Sequence, residues 1–542
     1  MPESDGEPER DGQPEHDGQP KPDGQPKPDR QPQADGQPGH AQLLGAFWRY
    51  EKALLANDLD TLDLLFAPGA GTIRGDAAGI LVGHDAISGF RRGRGGVAAR
   101  DILHVQVIDI ADDAALVVAV TAPLSGGRGQ QSQLWRREAG SWVVAAAHVS
   151  LPAPAVNPSI WRTVGTPLVA GAATGALAGE TVAVKDLYDI EGFAVGAGIP
   201  AYLAESAPAT GTSAAVASLL AAGASITGIA QTDEFAYSIA GRNPHYGTPP
   251  NPAVLGAVPG GSSSGPASAV ATGQASIGLG TDTAGSIRVP ASYQGLWGLR
   301  STHGAISMDR LVALAPTFDT VGWITRDAAT LRAAAQSSLD AALQRAVKPR
   351  FVIAPALAAH VESAVGDAFT AAVDRLDASE VDLGDIDELF LTFRTVQAAE
   401  AWRTHGDWIR AHPDALGADV ATRFAFASTI TAQQESTGRR ALRDARARLE
   451  AVLGDRVLLV PSASSIAPSV LASAELIERT RQDTLRLTCI AGLTGRPALS
   501  VPLLGVPQPG ALLPAPAGLC LVGPRFADVG LIGLAEDLIT AG

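Results

Sequence analysis

VPGGSSSGPASAVATGQASIGLGTDTAGSIRVPASYQGLWGLR, residues 258–300, is the stretch on which the reading of this chain turns. Its first half closes a run, residues 243–281, that holds no Lys, Arg, Asp or Glu. An uncharged stretch so dense in Gly, Ser and Ala implies close backbone packing, and hydroxyls buried in it need hydrogen-bond partners. Three chemistries place serines and glycines together in this way. Gly261-Ser262-Ser263-Ser264-Gly265 matches the GxSxG of a nucleophile elbow, where the serine sits on a strand-to-helix turn and needs a later Asp or Glu and then a His. Against that, PNPAVLGAVPG before it is broken by Pro and Gly, and the last histidine of the chain is His412. A phosphate loop needs GxxxxGK[ST], and no lysine follows these glycines at that spacing. The third chemistry is a serine hydrolase that uses a lysine in place of histidine.

Working outward, TVAVKDLYDIEG (181–192), QTDEFAYS (231–238), RNPHYGTPPNP (242–252), TCIAGLTGRPALSVP (488–502) and AGLCLVGPRF (517–526) accompany the central stretch. Together, over residues 158–542, they resemble the amidase signature family, and the 24 residues from Ser262 to Ser286 fit its spacing. EFAYS, HYGTPPNP, RVPASYQG, THGAIS and FDTVGW resemble most the plant branch that hydrolyses indole-3-acetamide. The resemblance implies Ser286 as nucleophile, Ser262 as bridging acid/base and Lys185 as base, with a cis peptide at Gly261–Ser262. It implies backbone N–H groups of Thr283, Ala284, Gly285 and Ser286 around a developing oxyanion, supported by Ser263, Asp282 and Arg288. Ala284 and Ser264 replace glycines common in the family, variants that also occur in allophanate-hydrolase-like members.

The physical demands can be stated separately. A serine hydroxyl is a poor nucleophile until a base takes its proton, and lysine is a base only when neutral. Lysine titrates near 10.4 in water, so burial has to lower it by several units, and an uncharged wall suits that need. The expected reaction is hydrolysis of a small carboxamide through an acyl-enzyme, with no metal and no organic cofactor. Rival readings are a ureide or carboxybiuret hydrolase, an amidotransferase subunit, and a binding or assembly protein with an inactive amidase fold. Asp233-Glu234 has no histidine at ligand spacing and reads as structural.

Locally, Ile277–Leu279 reads as a buried strand and Thr281–Gly285 as a turn feeding a short helix at Ser286, with Pro290 in its first turn. From residue 152 to 542, Ala-rich helical patterns alternate with β-branched runs. That is the signature of an α/β domain, which the resemblance refines to a mixed central sheet covered by helices.

Residues 41–151 follow a different order. Leu43, Leu44, Phe47, Trp48, Leu54 and Leu55, then Leu62, Leu65 and Phe66, recur at helical spacing, and another short helix fits Asp85–Arg92. Strands are expected at HVQVIDI, ALVVAVTAP, QSQLWRRE and WVVAAAHVSLP, which makes this an α+β unit. FWRYEKALLANDLDTLDLLF, GHDAISGFRRGR, GRGQQSQLWRR and WVVAAAHVSLP resemble the AtzH-like branch of the SnoaL/NTF2-like cone-shaped domains. That resemblance leaves two readings: Arg74, Arg91, Gln131 and His148 around a small polar ligand, or solvated arginines and a satisfied sheet histidine beside Trp48, Trp135 and Trp142 in core or interface.

Residues 1–40 hold 9 of the 37 prolines and no Val, Ile, Leu, Phe, Tyr or Trp, so they cannot bury enough apolar surface to order themselves and read as a solvated tail. Their pattern reads as neither a secretory signal nor a transit peptide. The net charge of −15, shared between this tail and the rest, argues against nucleic-acid and anionic-membrane binding, which need a concentrated basic face. Gly211–Ala230 lacks charges but is small and polar, and reads as a helix followed by a buried strand rather than a membrane span. Two cysteines, Cys489 and Cys520, in apolar surroundings point to a reducing, cytoplasmic setting. The expected partner is a small amide, and both resembled folds commonly form homodimers.

Overall fold

The computed structural model describes residues 40–76, 79–94, 97, 99–123, 129–150, 156–508 and 513–541, so the tail of residues 1–39 lies outside the described residues. The chain divides into two compact units, Met1–Ala153 and Pro154–Gly542.

In the first unit, helices Ala41–Ala56 and Leu59–Leu65 form a hairpin, followed by helix His84–Arg94. Asn57 turns the chain in the left-handed conformation, and the Asp58 carboxylate caps the second helix by accepting the Thr61 N–H at 3.0 Å. A six-stranded sheet runs Gly79–Val82, Ile73–Asp76, Ser141–Ser150, Gly129–Glu138, Ala114–Pro123, Arg100–Ala111. All neighbours are antiparallel except Ile73–Asp76, which lies parallel to Ser141–Ser150. Leu43, Phe47, Tyr50, Leu62, Leu65 and Phe66 of the hairpin pack on Val117, Ala119, Trp135 and Val144 of the sheet. The two shortest strands escape the sequence reading because IRGD and GILV are too brief and Gly-interrupted to show alternation.

The solvated-arginine expectation is corrected here. Arg74 is 6% and Arg91 7% exposed. Arg74 pairs with Asp76 at 2.7 Å and lies over the Phe90 ring, while Arg91 stacks on Phe66 at 4.0 Å. Gln131 donates to Glu51 at 2.5 Å, and Glu51 also holds Arg100 at 2.8 Å. His148 stays exposed at the surface of its strand, so these four side chains do not share one set of contacts.

The second unit is built on an eleven-stranded mixed sheet in the order Ala378–Glu380, Phe351–Ile353, Val457–Pro461, Ala515–Val522, Ala498–Val506, Trp297–Arg300, Val321–Thr325, Ile277–Thr281, Thr181–Lys185, Ser225–Ala230, Trp161–Val169. Its central strands are buried along their whole length, as a sheet covered on both faces requires. Side chains alternate between faces with period two. Val457, Leu459, Leu499, Val501, Leu519 and Leu521 accordingly enter one apolar core, and Leu458, Val460, Ala498, Cys520 and Val522 the other. The 26-residue helix Ile386–Ala411, capped by Asp385, packs into that second core with helices Ala418–Ser428, Ala432–Leu453 and Ala474–Thr494. The uncharged segment before residue 231 forms helix Ala214–Ala221 and strand Ser225–Ala230, and no helix among the described residues is long and apolar enough to cross a membrane.

Candidate active site

Strands Thr181–Lys185, Ser225–Ala230 and Ile277–Thr281 are parallel neighbours, with Val184 level with Leu279 on one side and Ile229 on the other. Parallel strands release the chain at the same sheet edge, where ligands bind in open α/β sheets. Lys185, Asp233 and Thr281-Asp282 are thereby gathered from three distant parts of the sequence.

Lys185 ends the strand TVAVK. Val182 and Val184 enter one core, so by alternation Lys185 shares the opposite face with Ala183. It is wholly buried, and its Nζ donates to Ser262 Oγ and Thr281 Oγ1, both at 2.8 Å. Burial pulls the ammonium down to about 7, against the opposing influence of the Asp233, Asp282 and Asp319 carboxylates.

Ser262 follows a cis Gly261–Ser262 peptide. Its carbonyl accepts from Thr232 Oγ1 at 2.9 Å and from the Asp233 N–H at 3.3 Å. Only glycine fits before it: a Cβ on Gly261 would lie 2.4 Å from Asp233 Oδ2 and 2.6 Å from the Gly241 nitrogen. The Ser263 N–H donates to the Ser286 carbonyl at 3.2 Å and the Ser263 hydroxyl to the Thr281 carbonyl at 3.3 Å, which ties the two serine loops together.

Ser286 lies in the turn between strand Ile277–Thr281 and helix Arg288–Gln294; the helix begins two residues later than the sequence suggests, and Pro290 still falls in its first turn. Asp282 organises this turn. Its Oδ1 accepts the Gly285 N–H at 2.8 Å and its Oδ2 the Ile287 N–H at 3.2 Å. That corrects one expectation: the Gly285 N–H is already engaged and is not free for an anion. The N–H groups of Thr283, Ala284 and Ser286 have no acceptor among the described residues.

Arg288 holds both oxygens of Asp282, Nε to Oδ2 at 3.0 Å and Nη2 to Oδ1 at 2.8 Å, and Arg300 adds a contact to Oδ1 at 3.2 Å. Burial pushes this carboxyl up, but the Arg288 guanidinium and its hydrogen bonds, with Arg300, hold it well below the usual carboxylate range. Burial also draws Arg300 down to about 10, which leaves it charged at neutral pH. Arg288 Nη1 reaches the Thr488 carbonyl at 3.1 Å and Thr488 Oγ1 the Ala284 carbonyl at 2.7 Å, anchoring the turn to helix Ala474–Thr494. Replacing Asp282 by Asn keeps the volume but leaves the buried Arg288 guanidinium without a carboxylate and Arg300 with only the influence of Asp319. Breaking a buried pair costs about 3–5 kcal/mol, so Asp282→Asn should lower the denaturation midpoint markedly, and an unchanged midpoint would show the network to be dispensable.

Sequence reading did not anticipate Thr281, Arg300, Asp319 or a contact role for Asp233. Asp319 accepts Thr283 Oγ1 at 2.6 Å and the Leu314 and Ala315 N–H groups at 2.9 Å. Arg300 carried a usable signal, since an arginine ending the apolar run LWGLR has to be buried against an acid. Among the described residues no group of three or more His, Cys, Asp and Glu side chains is arranged to hold a metal.

Ser286 is 3% exposed and faces a narrow cavity of about 10 Å³, room for about one water. Tyr237, Gln397, Arg481 and Leu485 line both this cavity and a cleft of about 710 Å³ beside it.

A mixed sheet with a buried lysine and two serine loops at one edge, and an amidase profile that matches residues 167–532, define the class. The chain belongs to the amidase family, enzymes that hydrolyse C–N bonds, and residues 37–154 match the AtzH-like profile. It is 33% identical over 400 residues to Amidase 1 of Arabidopsis thaliana, covering 67% of this chain and 93% of that protein. With Amidase 1 of Oryza sativa subsp. japonica it shares 34% over 398 residues, 67% of this chain and 90% of that one. Among solved structures, a chain from a vestigial protein complex that reveals the evolutionary origins of an s-triazine catabolic enzyme superposes with TM-score 0.61 at 26% identity, over 68% of this chain and 85% of that chain.

Proposed function

We propose that the chain hydrolyses a small carboxamide, with Ser286 as nucleophile, Ser262 as bridging acid/base and Lys185 as base. Neutral Lys185 takes the proton of Ser262 as Ser262 takes that of Ser286, and Ser286 Oγ bonds to the amide carbon. The proton returns through Ser262 to the leaving ammonia or amine, and water then releases the carboxylic acid and restores Ser286. The observation that carries this reading is the 2.8 Å contact from a wholly buried lysine, pulled down to about 7, to Ser262 Oγ. The free N–H groups of Thr283, Ala284 and Ser286 support an oxyanion site, where each essential donor contributes about 2.7–4 kcal/mol in other hydrolases.

A second reading, hydrolysis of a ureide, draws support from the AtzH-like match over residues 37–154. The finer reading of that unit as an NTF2-like cone is supported by helices packed on one side of a six-stranded sheet. Ammonia release from a panel of indole-3-acetamide, simple aryl amides and biuret-type compounds, ranked by kcat/KM, separates the two substrate classes. No release from any of them, with no labelling of Ser286 by a serine-directed probe, would leave a binding protein with an amidase fold.

A further inference from the structure

The cleft of about 710 Å³ beside Ser286 is lined by four arginines and three carboxylates, in a chain whose net charge is −15. Every one of those carboxylates is engaged. Glu234 accepts the Gly417 N–H and pairs with His245, both at 2.8 Å, Glu478 takes two hydrogen bonds of 2.7 Å from Arg481, and Asp419 pairs with Arg423. Arg423 and Arg481 are matched by the same contacts. Arg394 and Arg242 have neither a carboxylate nor a hydrogen-bond acceptor among the described residues, and Arg242 is exposed at the rim.

Arg394 is half-buried and lies over the Phe426 ring, its Cζ 4.0 Å from the centroid. A stacked guanidinium keeps its N–H donors in its own plane, free to take both oxygens of a carboxylate in parallel bonds. Three residues on along helix Ile386–Ala411 stands Gln397, 5% exposed, its amide without a hydrogen bond among the described residues. Gln397 lines both the cleft and the cavity at Ser286, whereas Arg394 lines only the cleft. Residues three apart lie on one helix face, separated by about 4.5 Å along the axis. The face therefore offers a neutral amide next to Ser286 and, one turn outward, an unmatched cation.

We infer that the substrate is an amide bearing a carboxylate remote from the scissile carbonyl, with Arg394 gripping the carboxylate and Gln397 holding the amide end. This deepens the reading of Ser286 as the reacting residue and rests on it.

The test uses the full chain carrying Ser286→Ala, so that binding is measured without turnover. Calorimetry compares adipamate, the monoamide of a six-carbon diacid, with hexanamide, which has the same length and no charge. Adipamate is expected to bind about tenfold or more tightly than hexanamide. Adding Arg394→Gln should bring the two within about twofold, and Arg394→Lys, which keeps the charge but not the fork, should fall between. Arg440→Gln removes an exposed arginine of helix Ala432–Leu453 outside the cleft and should leave the preference intact. Equal binding of the two amides to the Ser286→Ala chain, or a preference that survives Arg394→Gln, overturns the assignment. Turnover of either amide by Ser286→Ala would instead strike the proposed chemistry, so the two failures are distinguishable.

Discussion

Ser286→Ala is expected to lower kcat by about 10⁴-fold or more on any amide from which the unaltered chain releases ammonia. Removing the nucleophile of the serine protease subtilisin costs about 10⁶, with a residual acceleration that comes from binding and the oxyanion site. On the proposed reading both remain here, because the N–H groups of Thr283, Ala284 and Ser286 belong to the backbone. The substitution should not disturb the fold. What ties Ser286 to the neighbouring loop is its carbonyl, which accepts the Ser263 N–H at 3.2 Å, and alanine keeps that carbonyl. Ser262→Ala differs in kind: it takes one of the two acceptors from Lys185 Nζ and leaves Thr281 Oγ1 alone at 2.8 Å. It should lose activity together with part of the lysine's positioning, whereas Ser286→Ala leaves Lys185 as it is. Ammonia release and the mass of the peptide labelled by a serine-directed probe check both. Retained activity in Ser286→Ala, or a label on another serine, would remove Ser286 from the mechanism.

How much of this site could be read beforehand depends on whether its residues answer to local or to distant constraints. The Gly-Ser loop at 260–264 and the turn at 281–286 are local: the need for Gly261 and for uncharged surroundings is written in adjacent residues. The parallel strand ending at Lys185 is equally local, a short β-branched run closed by a charge. Arg300 and Asp282 are different. They are 18 residues apart in sequence and meet because strand Trp297–Arg300 and the turn after strand Ile277–Thr281 both flank strand Val321–Thr325. Strand order in a sheet is not coded in any window of sequence. The same holds for Asp233, which reads as half of an acidic pair until strand Ser225–Ala230 is laid beside Thr181–Lys185. The engagement of the Gly285 N–H escapes a sequence reading for a related reason: a turn of glycine and small residues presents several donors, and only the position of the Asp282 carboxylate decides which are taken.

Activity should rise with pH up to about 7 and then level off. Lys185 serves as a base only when neutral, and burial draws it from its ordinary 10.5 down to about 7, with the Asp233, Asp282 and Asp319 carboxylates pulling the other way. Below that point kcat/KM falls by up to tenfold per unit, so at pH 6 it should stand at about 10% of its plateau. The same depression fixes a stability sign. Between about 7 and 10.5 the unfolded chain carries a proton on this lysine that the folded chain does not, so this group's contribution makes stability increase with pH across that window. Asp233, lifted to about 6 by burial despite the Gly241 N–H and Lys185, titrates beside it, so the acid limb belongs to the pair and is shallower below 6 than a single group would give. Asp233→Asn removes the strongest of the three carboxylate influences and should move the limb to lower pH. Lys185→Met, similar in length and without charge, should lose about 10³-fold or more in kcat and show no limb near 7. A limb that survives in Lys185→Met, or stays in place in Asp233→Asn, would have to come from another group, and the buried lysine would then be structural rather than the base.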